Sequence, residues 1–175
     1  MQERWPVTAV TGESAVVADH PTPVAGVRRL ALAVAVMGVV VVADQLTKWW
    51  AITHAANGPV HVIGTLDFEL TRNTGSAFSL LQGQTYLLIA VALVLVAALM
   101  AMVWQGPSSG RAAVLGLILG GAVGNLSDRL FRGDHGAVVD FVALHFWPTF
   151  NLADASIVVG SALLLISLVR KPRPA

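Results

Sequence analysis

Asp140 and Asp154 stand in two short blocks, Val138-Val139-Asp140-Phe141 and Phe150-Asn151-Leu152-Ala153-Asp154, beside the last strongly apolar stretch of a 175-residue chain. A carboxylate near hydrocarbon is expensive, so two of them beside a membrane-length segment mark a functional centre. If the two converge, mutual repulsion favours one protonated and one ionised partner. The ionised one can take a proton from water. The protonated one can polarise a peptide carbonyl and later protonate the leaving amine. That is the chemistry of an aspartyl peptidase, and the sequence leaves open which aspartate takes which part.

Other polar residues gather around the same apolar stretches. Asp44 and Lys48 are spaced i, i+4, so they either neutralise each other near the interface or belong to the centre. Gly121, Asn125 and Arg129 form an i, i+4, i+8 line with Asp128 beside it. An Asp128–Arg129 surface pair accounts for part of this line but leaves Asn125 in need of a polar partner. Asn151 and Asp154, at i, i+3, either face the bundle interior together or serve as an N-cap and a first-turn acid. Gly116, Gly120 and Gly124 make a small-xxx-small stripe that lets a neighbouring helix approach closely.

Competing chemistries fit less well. The stretch Gly106-Pro107-Ser108-Ser109-Gly110 matches G-x-S-x-G by letter, but no strand-to-helix elbow or nearby histidine accompanies it. With no cysteines, thiolate nucleophiles, disulfides and thiolate metal sites are excluded. His20, His54, His61, His135 and His145 show no HExxH spacing and fall outside the apolar cores, so no metal or other cofactor is expected. A net charge of +1 without a basic, aromatic-interleaved tract gives no nucleic-acid partner.

The elements that must position these residues are membrane helices. The chain is 55% hydrophobic and 12% charged, about half the ~25% charge of soluble domains. Four apolar spans, at about 30–50, 85–104, 112–131 and 150–168, come close to the roughly 20 residues that cross a bilayer. The expected fold is therefore membrane α-helical, a four-helix bundle in one domain over 28–171. Residues 1–27 read as a disordered cytoplasmic tail and 172–175 as a second short tail. The first span continues into Asp44-Gln45-Leu46-Thr47-Lys48, which marks it as a retained helix rather than a signal peptide. Trp49 and Trp50 read as an interfacial aromatic belt.

Between the first two spans, residues 53–84 form the one stretch with strand character. Short strands at 61–63 and 66–70 are separated by breaks at Gly58-Pro59 and Gly64. Residues 132–149 read as an outer connector. Seven basic residues (Arg4, Arg28, Arg29, Arg111, Arg170, Lys171, Arg173) lie at the termini or in the 105–111 loop, against Lys48, Arg72, Arg129 and Arg132 on the other side. That bias places both termini in the cytoplasm and the polar blocks at the outer face.

Five stretches in order resemble the bacterial lipoprotein signal peptidase (signal peptidase II) family. They are Asp44-Gln45-Leu46-Thr47-Lys48, Asn73-Thr74-Gly75-Ser76-Ala77-Phe78, the run from Gly120 to Arg129, Val138-Val139-Asp140-Phe141, and Phe150-Asn151-Leu152-Ala153-Asp154. The resemblance implies an aspartic endopeptidase of the bacterial cytoplasmic membrane, cutting prolipoproteins before a diacylglyceryl-modified cysteine. By position it makes Asp140 and Asp154 the catalytic dyad. Asn73, Gly124, Asn125, Arg129, Asn151 and Ala153 become substrate-binding or supporting residues, with Asp44 and Lys48 as further polar support. It also implies membrane lipids and globomycin-type inhibitors as partners, a monomeric enzyme, and an outer-face cradle at 53–84. The connector Phe141–Ala153, short for the family, is expected to carry a mobile flap.

The reading from another class is a small ion-coupled transporter or channel subunit using the same carboxylates. Such a protein would tend to carry its acids at mid-span and to show inverted repeats. Here the acids flank a span, and the two halves show no internal similarity.

Overall fold

A run of apolar residues long enough to span lipid can satisfy its backbone only as a helix, and four such helices form. The computed structural model describes residues 23–75 and 84–169. Its helices are α1 (Pro23–His54), α2 (Thr85–Trp104), α3 (Ser109–Phe131) and α4 (Leu152–Val169). All four expected spans are present, with α1 several residues longer at each end. Most of the leader, the terminal Arg170, Lys171 and Arg173, and Ser76-Ala77-Phe78 lie outside the described residues.

The sequence of α3 makes it the central helix. Along one side, Gly116, Gly120 and Gly124 face α1 so closely that an added Cβ would lie 2.5 Å from the Ala33 carbonyl oxygen, 2.5 Å from Val40 Cβ and 2.7 Å from Asp44 Oδ2. The other side approaches α4, where Gly121 abuts the Ala153 carbonyl and Gly160 abuts Ile118. The glycine stripe thus lets the α1 and α3 backbones close up, the packing device of membrane helix pairs. At one end of the bundle Ala33, Leu99, Val103, Ala112, Leu115, Ile118 and Leu119 form a dry core flanked by Leu30 and Leu164. The polar groups collect at the opposite end.

Over that polar end lies a four-stranded antiparallel sheet in the order β1 (Val60–Ile63), β2 (Leu66–Asn73), β3 (Val138–Leu144), β4 (Trp147–Phe150). The β1–β2 hairpin falls where strand character is expected, with Gly64 taking the left-handed turn conformation at φ 58°. The expectation that strands are confined to 53–84 is wrong, because half of the sheet comes from the supposed connector 132–149. Val138 to Ala143 is a near-continuous apolar run, largely buried on both faces. Such a strand lacks the alternation that identifies half-buried strands. The segment Phe141–Ala153, where a flap is expected, holds most of the β3–β4 ladder and leads directly into α4.

Aromatic contacts seat the sheet on the bundle. Trp50 meets Phe68 edge-on at 5.1 Å between ring centroids, and Phe68 meets Phe141 at 6.2 Å. Trp49 is 63% exposed, as an interfacial residue should be, whereas Trp50 belongs to this helix–sheet contact rather than to a belt. The β2–β3 register sets Thr71 opposite Asp140 and Asn73 opposite Val138. It thereby carries Asn73 to the polar end of the bundle.

Candidate active site

Asp140 sits in the middle of β3 and is 2% exposed. Its Oδ1 accepts from Asn151 Nδ2 at 2.7 Å and its Oδ2 from Asn73 Nδ2 at 3.0 Å. Asn73 is oriented in turn by Gly75, whose N–H donates to Asn73 Oδ1 at 3.0 Å. Burial, and secondarily the charge of Asp154, push the Asp140 carboxyl from its ordinary 3.8 up to about 7. The two asparagine hydrogen bonds and the charge of Lys48 offset part of that rise.

Asp154 enters from the first turn of α4. Its Oδ1 accepts from Asn125 Nδ2 at 2.8 Å. Asn151 and Asp154 also cap the helix reciprocally: the Asp154 N–H donates to Asn151 Oδ1 at 2.9 Å, and the Asn151 N–H donates to Asp154 Oδ2 at 3.2 Å. The two alternatives posed by the i, i+3 spacing are therefore both realised. Asn151 caps α4 with its oxygen and reaches Asp140 with its nitrogen. One residue thus bridges both aspartates.

Behind the aspartates is a closed ionic cluster. Lys48, with no exposed surface, donates to Asp44 Oδ2 at 2.8 Å, to Asp128 Oδ2 at 3.0 Å and to Asn125 Oδ1 at 3.0 Å. Asp44 and Lys48 do neutralise each other, but as members of the buried centre rather than at an interface. Asp128 accepts from Arg132 Nη2 at 2.7 Å and from Gln45 Nε2 at 3.1 Å. Gly124 leaves room for the Asp44 carboxylate, and the Ala153 N–H donates to Asp44 Oδ1 at 3.0 Å.

The expected Asp128–Arg129 pair does not form. Arg129 turns to the carbonyl oxygens of Gly75, at 2.9 Å from Nη2, and Asn125, at 3.4 Å from Nη1. Its buried Nε has no partner among the described residues. Arg132 adjoins the polar blocks in sequence and does join the cluster; sequence reasoning missed Gln45 and the pairing of Asp128 with Arg132, although their i, i+4 spacing was a usable signal. Among the described residues Arg129 also lines a cavity of about 650 Å³ between α2 and the end of α3, walled by Tyr86, Ile89 and Leu130.

The remaining candidates resolve simply. Ser108 is the N-cap of α3, accepting from the Arg111 N–H at 3.4 Å, so the G-x-S-x-G match is a helix start. Among the described residues no group of histidines and acids is arranged to hold a metal. His61 and His145 instead flank Asp67 at 2.7 and 2.9 Å on the exposed side of the sheet. Those two hydrogen bonds, that of His145 first, hold the Asp67 carboxyl below its ordinary range.

A family model described as signal peptidase (SPase) II matches residues 36–170. A lipoprotein signal peptidase of Rhodococcus jostii is 45% identical over 151 residues, covering 83% of this chain and 76% of its own length. One from Mycolicibacterium smegmatis is 43% identical over 171 residues, 93% of this chain and 68% of its own. A solved structure described as a bacterial membrane enzyme, determined by the in meso method at 2.3 Å resolution, superposes with a TM-score of 0.71. It is 26% identical and covers 82% of this chain and 93% of that one. A second so described, at 1.9 Å resolution, also gives a TM-score of 0.71, at 27% identity.

Proposed function

The chain belongs to the signal peptidase II family, and we propose that it removes signal peptides from lipid-modified bacterial prolipoproteins by an aspartyl mechanism with Asp140 and Asp154 as the dyad. The observation that carries this reading is the single residue Asn151, which donates its side-chain nitrogen to the Asp140 carboxylate and its backbone N–H to that of Asp154, with Asp140 buried and pushed up to about 7. A carboxyl raised to that level is poised to carry a proton near neutral pH.

Asp140 is the acid of the resting pair and Asp154 the base. Asp154 takes a proton from a water molecule as its oxygen attacks the scissile carbonyl carbon. Asp140 donates its proton to the carbonyl oxygen, which becomes the hydroxyl of a tetrahedral diol. Collapse reforms the carbonyl, breaks the carbon–nitrogen bond and passes the Asp154 proton to the leaving amine. The hydroxyl proton returns to Asp140, so the dyad finishes as it began. Arg129 and Asn73 hold the peptide against the pair, with the Arg129 Nε, which has no partner among the described residues, available to a substrate carbonyl.

The location suits this substrate. A lipid-anchored precursor is confined to the membrane surface, and the polar centre lies at one face of the bundle beneath the sheet. That face is the outer one, both chain ends lie in the cytoplasm, and the enzyme works as a monomer open to globomycin-type inhibitors. The scissile bond is the one before the diacylglyceryl-modified cysteine.

The test is cleavage of a diacylglyceryl-modified prolipoprotein by the purified protein, beside the same precursor left unlipidated. Only the lipidated precursor should be cut, and Asp154→Asn should lower the rate at least about 10³-fold. Equal cleavage of both precursors would refute the substrate class. Retained turnover in Asp154→Asn would refute the dyad and return attention to ion coupling by these carboxylates.

A further inference from the structure

The dyad residues come from different elements, one a strand and one a helix, yet each is held in the same way one residue upstream. The Val139 N–H, just before Asp140, donates to Asp128 Oδ2 at 3.1 Å. The Ala153 N–H, just before Asp154, donates to Asp44 Oδ1 at 3.0 Å. These two clamping carboxylates are wholly buried and share one cation, Lys48.

Lys48 also fixes a side chain that touches the dyad. Its ammonium group is a donor only, so the Asn125 atom facing it at 3.0 Å is the oxygen. Asn151 Nδ2 donates to that same oxygen at 3.1 Å. The Asn125 amide nitrogen is thereby turned to Asp154 Oδ1 at 2.8 Å. All three Lys48 hydrogens are used, two on the clamps and one on Asn125.

We propose that Lys48 is the positioning residue of the reaction, the one group that sets the dyad's separation through Asp44 and Asp128 and the orientation of Asp154 through Asn125. The inference rests on the aspartyl reading given above. It goes beyond a structural ion pair, because a pair that served only the fold would need neither the backbone clamps beside both aspartates nor the bond to Asn125.

Two variants test it. Lys48→Met keeps the volume but leaves buried Asp44 with no cation and Asp128 with Arg132 alone. Lys48→Met with Asp44→Asn restores the charge balance, and its asparagine oxygen can still accept from Ala153. The double variant should fold and cleave the lipidated precursor about 10²-fold more slowly in kcat, with KM little changed, as expected when reacting groups are misplaced by about an ångström. Its full kcat would overturn the proposal. So would failure of this charge-balanced variant to fold, which would make Lys48 a requirement of the fold rather than of dyad placement.

The pH profile gives a readout that a purely structural role would not move. The charges that bear on Asp140 are Asp154 from α4, Arg129 from α3 and Lys48 from α1. Lys48 favours ionised Asp140, so in Lys48→Met the alkaline limb of the kcat profile should move to higher pH. A lowered rate on an unmoved limb would overturn the proposal. The wild type and Asp154→Asn are measured alongside: no cleavage by the wild type removes the aspartyl reading itself. An active wild type with an inactive Asp154→Asn leaves that reading standing and puts only the role of Lys48 at stake.

Discussion

Replacing Asp140 by asparagine should make the protein less stable in acid and more stable in base, a reversal of sign that follows from the geometry. Burial and Asp154 push this carboxyl from 3.8 up to about 7. A carboxyl raised in this way keeps its proton in the folded protein after the unfolded chain has lost it. Stability therefore falls as pH rises from about 4 to about 7 and levels off above. At about 1.4 kcal/mol per pH unit, ionised Asp140 costs the fold roughly 4 kcal/mol at alkaline pH. Asparagine removes that cost and introduces another. Asn73 and Asn151 both donate to Asp140, so one of them would face an amide nitrogen, a loss of about 1–3 kcal/mol. The variant should thus be about 1–3 kcal/mol less stable near pH 4 and about 1–3 kcal/mol more stable near pH 8, crossing between about pH 5 and 6. The five tryptophans report unfolding in detergent directly, and with no cysteines thiol-reactive dyes are of no use. A stability difference that stays constant across this pH range would refute the reasoning, as would a variant still weaker than the wild type at pH 8.

Two further outcomes test the elements around the dyad. Gly124→Ala places a Cβ 2.7 Å from Asp44 Oδ2 and should cost about 1–3 kcal/mol, read as a lowered unfolding midpoint; an unchanged midpoint would mean that α1 and α3 are free to separate. Arg129→Ala removes the hold on the Gly75 carbonyl and the Nε donor, and should lower kcat/KM by about 10–100-fold for a lost charged hydrogen bond to substrate; a full rate would remove Arg129 from the reaction.

How far the sequence could be read depended on whether a feature was local. Span lengths, the glycine stripe and the two aspartate blocks are local, and each stands where expected. The β3–β4 ladder was not legible, because Val138 to Ala143 is buried on both faces and offers no alternation to read. Partners were harder still. Asp128 and Arg129 are adjacent in sequence, which suggested a pair, but successive residues on a helix point about 100° apart and do not face each other. Arg132, one turn on, takes the Asp128 carboxylate instead.

The scattering of the polar blocks along the chain has a physical reason. A carboxylate enclosed by protein at membrane depth needs donors at both oxygens, and one helix cannot surround its own side chain. Asp44 accepts from Lys48 on its own helix and from the backbone of α4. Asp128 accepts from α1, from Arg132 just past its own helix and from the backbone of β3. Asp140 draws on β2 and on the residue before α4, and Asp154 on α3 and its own cap. Each carboxylate therefore binds at least two elements together, and the four between them join α1, α3, α4 and the sheet. Each donor thus serves both a carboxylate and a contact between elements, so the centre that supports the chemistry also holds the sheet to the bundle.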